Sequence, residues 1–267
     1  MRLQHPIRLG IATLAVTAAL GAATALPAMA DSSPSPSASP SATASPVTSP
    51  TASPGTITVG GCSGSTATVL SCIKQRSATA VANRETALQE MTTDINKSAD
   101  TTSSDKATLA GQIQADETGL TSLNATIQAD TSVKQAWTDA QTIVTGYRVY
   151  LLEAPKVHLV IAADTETTTE SLIGSVMPAI QTAINDSTTS AAEKAAAQAA
   201  FNDCTSQLAS AQSASSGVVS EVIDLLPSGY PDNQPTLAAA RGSVTTAKKN
   251  LEQCRTDINA IRTDLGI

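Results

Sequence analysis

Four cysteines, Cys62, Cys72, Cys204 and Cys254, are the residues of this chain best equipped for chemistry, and their spacing points to cross-linking. None stands in a C-x-x-C pair, which removes the simplest redox and zinc-ribbon readings. An even set of four is the pattern of disulfides in an oxidising compartment. Cys204 and Cys254 lie equally far, 25 residues each way, from Gly229 in the turn-rich stretch Pro227-Ser-Gly-Tyr-Pro-Asp-Asn-Gln-Pro235. Two helices folded back there would bring the two sulfurs level. Closing a loop of about 50 residues stabilises by roughly 4 kcal/mol in the chain-entropy description. Cys62 and Cys72 are ten apart behind Gly60-Gly61, and a local bond tying that loop to the first helix is expected.

Other chemistry has little material. His158 is the only histidine beyond the first 30 residues, so neither a His-based zinc site nor a Ser-His-Asp triad can be assembled. No P-loop and no G-x-G-x-x-G occurs, and no cofactor or metal is expected. Carboxylates are plentiful, among them Glu153, Asp164, Glu166 and Glu170. A glycosidase uses two such groups across a cleft, which makes a wall-directed enzyme the alternative reading. The aromatics Trp137, Tyr147 and Tyr150 form a candidate patch for a glycan or a protein partner; packing in a core is the plainer use.

Residues 1–30 read as a signal peptide: Arg2 and Arg8, the apolar run Leu9 to Leu26, then Ala28-Met29-Ala30. Membrane attachment is expected only if that segment is retained. The chain holds 16 basic and 23 acidic side chains, a net charge of −7. The first 30 residues carry two of the bases and no acid, so the remainder stands at −9. That charge repels phosphate backbones and excludes a nucleic-acid partner. Residues 31–55 contain nine Ser, six Pro, four Ala and three Thr, too little apolar surface to order a chain. This is a linker with a reach of about 75 Å if extended as polyproline II.

Residues 56–267 form the candidate folded domain. The 99 residues from Thr56 to Ala154 lack proline, which permits long helices. Leu237, Val244, Leu251, Ile258 and Leu265 recur every seven residues, interleaved by Ala240, Ala247, Cys254 and Ile261. That spacing buries one stripe against a partner helix. Phe201, Leu208 and Val222, interleaved by Ala197, Cys204, Ala211, Val218 and Leu225, answer from the preceding segment. Earlier, Val81, Leu88 and Ile95, with Arg84 and Met91, mark one helix. A serine of Thr101–Ser104 would cap the next one. Leu109, Leu123, Trp137, Val144 and Leu151 extend the sevenfold pattern, with Ile113, Leu120 and Ile127 between them. Asp116 and Asp130 interrupt that seam, and a buried carboxylate there needs a partner. Ser190-Ala-Ala-Glu193 is a capping box. Pro178 is placed to start or kink a short helix.

Tyr147 to Asp164, YRVYLLEAPKVHLVIAAD, is the most apolar stretch beyond the leader. It reads either as two short strands or, preferably, as two helix ends meeting at Pro155. Arg148, Glu153, Lys156 and His158 exclude a membrane span. Tyr147-Arg-Val-Tyr150 and Ala162-Ala-Asp164, set between a long helix and an Ala/Thr-rich hairpin, resemble a family of exported, coiled-coil-like helical proteins of actinobacteria. The resemblance covers about residues 80–265 and implies a helical fold and an envelope or secreted setting. It implies no catalytic residues.

These readings converge on an all-α fold, an elongated antiparallel helical bundle of coiled-coil-like hairpins with disulfides. The expected role is a non-enzymatic secreted or cell-envelope protein that presents a helical surface on a Pro/Ser-rich stalk. Its partner would be a cell-wall polymer or an envelope protein. A membrane-active bundle is a further alternative, disfavoured by the acidic charge. Oligomeric state is not encoded in any pattern found.

Overall fold

A computed structural model describes residues 56–267. The expected signal and linker, residues 1–55, lie outside the described residues. Within these bounds the fold is all-α, with one small hairpin at its start. Strands β1 (Ile57–Val59) and β2 (Cys62–Gly64) pair antiparallel around Gly60-Gly61, both at positive φ. Seven helices follow: α1 (Thr66–Lys97), α2 (Ser103–Ala129), α3 (Val133–Thr145), α4 (Ala154–Asp186), α5 (Ala191–Ser215), α6 (Val218–Val222) and α7 (Gln234–Leu265).

Short polar side chains cut the chain into these pieces. Ser65, Thr102 and Ser132 each accept a bond from the backbone N–H three residues on, at the starts of α1, α2 and α3. Thr102, rather than a serine, caps α2, and Asp105 completes that turn by accepting its hydroxyl at 2.6 Å. Ser190 and Glu193 form the expected reciprocal box on α5. Gly266, at φ +69°, ends α7.

The helices pack in two sets of three. In the first, α1 and α2 are antiparallel, while α3 runs beside α1 in the same direction. The disulfide Cys62–Cys72 pins the hairpin to α1 over Val69, Ile73 and Ala136. In the second, α4, α5 and α7 alternate in direction. Cys204 and Cys254 are bonded across α5 and α7, with Cα atoms 4.1 Å apart. Ala211 and Ala247, fully buried in the same cluster, leave the space for that approach. The two sets share a central core in which Leu88, Leu120, Leu152, Val160, Val222 and Leu237 meet.

The heptads of α5 and α7 hold: Ala197, Cys204, Leu208 and Ala211 are buried, as are Leu237, Ala240, Ala247, Leu251, Cys254, Ile261 and Leu265. The seam drawn through Trp137, Val144 and Leu151 does not hold. Ala136 and Ile143 are buried instead, while Val144 and Leu151 are 44% and 45% exposed. The reason is a turn at residues 130–132, after which α3 restarts in a new phase. Asp130 caps the end of α2 and does not occupy a seam.

Two further expectations are corrected. The break near Pro155 lies earlier, at Arg148, whose φ of 49° is left-handed. Val149–Glu153 then forms a turn of π-helix that runs directly into α4, and Pro155 sits in the first turn of that helix. No strand pair forms there. Pro178 neither starts a helix nor ends one, since α4 continues through it to Asp186. Arg148 lies over the ring of Tyr230, 4.4 Å from its centroid, and so ties the break to the turn before α7.

Candidate functional site

Two places combine polar chemistry with shape: the polar inclusions of the central core, and a groove on the first helix set. The inclusions come from α4, which is apolar enough to be drawn in yet carries acids on several faces. Lys156 is 1% exposed; its Nζ lies 2.8 Å from Glu153 Oε2 and donates to the Leu225 carbonyl at 3.2 Å. Burial pushes the Glu153 carboxyl up, and the Lys156 ammonium pulls it back down. Asp116 of α2 faces this pair. Burial and the Glu153 charge raise it to about 7, against the opposing pull of Lys156.

The remaining acids of α4 point elsewhere. Asp164 accepts the Thr102 N–H at 3.3 Å at the start of α2, and burial with Asp105 nearby raises it to about 6. Glu170 accepts the Ser215 hydroxyl at 2.9 Å, at the end of α5. Glu166 is raised to about 7, chiefly by burial, with Glu170 and Glu252 adding and Lys248 opposing. Glu153 is thus held by Lys156 in its own turn, while Asp164 and Glu170 serve two different interhelix contacts, and the three do not share a partner. His158 is half exposed, 3.9 Å from Asp94. Among the described residues no cluster of three or more His, Cys, Asp or Glu is placed to hold a metal ion. No helix there is long and apolar enough to cross a membrane.

The groove, about 510 Å³, lies between α1, α3 and the hairpin tip. Ile73, Ala80, Ala140 and Val144 give it an apolar floor, and Trp137 forms one wall. Gly60 packs so tightly on the indole that a Cβ there would run into the six-membered ring. Arg76 holds the tip in place, donating from Nη1 to the Gly60 carbonyl at 2.7 Å. Arg84 lines the other end, where its Nη1 donates to Ala80 and its guanidinium lies 5.3 Å from the Tyr150 ring centroid. Among the described residues no carboxylate lines the groove.

Of the three aromatics singled out in the sequence, Trp137 lines the groove and Tyr150 stands against Arg84, which lines it too. Tyr150 is half exposed and its hydroxyl donates to the Asn83 carbonyl at 3.0 Å. Tyr147 is placed differently, its ring packed over Gly119 of α2 and its hydroxyl raised by burial and by Asp116. Arg76, Ser77 and Gln141 line the groove without any mark in the sequence pattern. Arg84 did leave a signal, a cation on an apolar seam.

The features in hand define an all-α, disulfide-stapled protein with a polar joint and an aromatic groove. Comparison with protein families, curated proteins and solved structures finds no match to this chain.

Proposed function

We propose that this is a non-enzymatic, secreted or cell-envelope interaction protein, which offers a long helical surface and its groove to a wall polymer or an envelope protein. The observation that carries the reading is the placement of the acids. Glu153 is paired with Lys156 within one turn, Asp164 and Glu170 are each spent on a separate interhelix contact, and among the described residues the concave surface at Trp137 is free of carboxylates. The two disulfides fit an oxidising setting, and the leader-like and Ser/Pro-rich segments fit export on a stalk. Helices of 25 to 33 residues, about 40–50 Å each, supply the extended surface.

The test is co-sedimentation of the full chain with purified cell envelope from the producing organism, with soluble wall fragments assayed in parallel. Retention of the protein without release of fragments is expected. Release that disappears in Glu153→Gln, Asp164→Asn or Glu170→Gln would establish the enzymatic alternative. A chain that stays in the supernatant would overturn the reading outright.

A further inference from the structure

We infer that the groove between α1, α3 and the hairpin binds an acidic glycan, a carboxylate-bearing sugar chain laid against Trp137 with its charge toward Arg76 and Arg84. The inference rests on the reading of an exterior interaction protein and gives that reading a site and a ligand class. Charge is the first argument. The chain as a whole is at −7, yet among the described residues the charged ones of the groove are two arginines. Each guanidinium spends one donor on a backbone carbonyl, which leaves the rest of its fork for a carboxylate.

The second argument is Ser77. It is 4% exposed and lines the groove, which puts a small hydroxyl-bearing side chain between Arg76 and Ala80. A hydroxyl at the wall of a groove can donate to or accept from a bound ligand in place of water. Gln141 and Thr145 add an amide and a second hydroxyl along the opposite wall. A sugar matches this mixture, since its C–H face suits an indole and its hydroxyls suit short polar side chains.

Other anionic ligands fit less well. Of the walls, α1 and α3 use their backbone donors and acceptors within the helices, and the hairpin offers strands of only three residues, so an extended acidic peptide finds no long ladder there. Two cations on an acidic protein cannot hold a backbone that carries a phosphate at every residue. Arg76 and Arg84 stand eight residues apart on α1, about 12 Å along its axis, so the ligand spans more than one sugar ring.

Trp137 is the single tryptophan of the chain, so its fluorescence reports on the groove directly. The probes are oligogalacturonate, a neutral oligosaccharide of equal length and a poly-glutamate peptide, titrated into the full chain. A saturable change with oligogalacturonate is expected, weakened by added salt. Arg76→Gln should lower affinity roughly tenfold, the loss of one charge-assisted bond. Ser77→Ala, which leaves Arg76 on the hairpin, should lower it severalfold with helicity unchanged.

No response to oligogalacturonate, or an equal response to the neutral sugar, would overturn the assignment. Tighter binding of poly-glutamate would also overturn it, in favour of an acidic protein partner. Envelope retention separates the two levels of the argument. A wild-type chain that is retained but ignores oligogalacturonate leaves the general reading standing and removes the groove. A chain that binds oligogalacturonate but is not retained does the reverse.

Discussion

Lys156 and Glu153 face each other at 2.8 Å with side-chain exposures of 1% and 3%, a charged pair three residues apart inside an apolar core. The pair is placed at the start of α4, where both helix sets meet. A buried pair seldom adds net stability over apolar residues of the same size, but losing one partner strands the other.

Lys156→Met should therefore destabilise the protein by about 3 kcal/mol, measured as the shift in urea midpoint at neutral pH. The double variant Lys156→Met, Glu153→Leu should recover most of that loss. A single variant as stable as the parent would show that the pair is hydrated in solution.

Stability should depend on pH in an unusual direction for an acidic protein. Asp116 and Glu166 are raised to about 7 and Asp164 to about 6, in each case mainly by burial. These groups hold protons in the folded chain at pH values where the unfolded chain has released them. Their contribution is complete below the ordinary carboxylate range near pH 4 and is lost as pH rises through 6 and 7. Lys156 beside Asp116, Lys248 beside Glu166 and the Thr102 N–H on Asp164 limit the effect. Urea midpoints should fall between pH 4.5 and 8 (roughly the span of those shifts). Asp116→Asn and Glu166→Gln should flatten the slope; an unchanged slope in both would contradict the assignment.

Gly60→Ala probes the fit of the hairpin against Trp137. The position has φ +57° and no room for a Cβ, so the tip must lift from the indole. The expected result is a red-shifted Trp137 emission and a loss of about 1–3 kcal/mol, with the disulfide Cys62–Cys72 intact. An unshifted emission spectrum would mean that the tip does not cover the ring.

What could be read in advance was whatever repeats locally. The α7 stripe, the capping box at Ser190 and the pairing of Cys204 with Cys254 all follow from spacing within one or two helices. The phase of α3 did not, because residues 130–132 turn the chain without a glycine or a proline. Arg148 hid the break for a related reason: a non-glycine residue in the left-handed region costs about 1–2 kcal/mol, and its stacking partner Tyr230 is remote in sequence. Pro155, the visible breaker, belongs in the first turn of a helix. The groove was legible only as Trp137 and as Arg84 on its apolar seam. Arg76 and Ser77 acquire their meaning from α3 lying alongside α1, a long-range arrangement that no periodicity announces.

The disulfides also set an order of maturation. Cys72 follows Cys62 by ten residues, so that bond needs only a short stretch of chain to close. Cys204 must wait for fifty further residues before Cys254 arrives. Through that interval it is a solitary nucleophile on an unfinished hairpin, open to capture by any thiol-exchange catalyst or by a neighbouring nascent chain. Completion of α7 is what ends that interval, because only then does the partner sulfur lie level with Cys204.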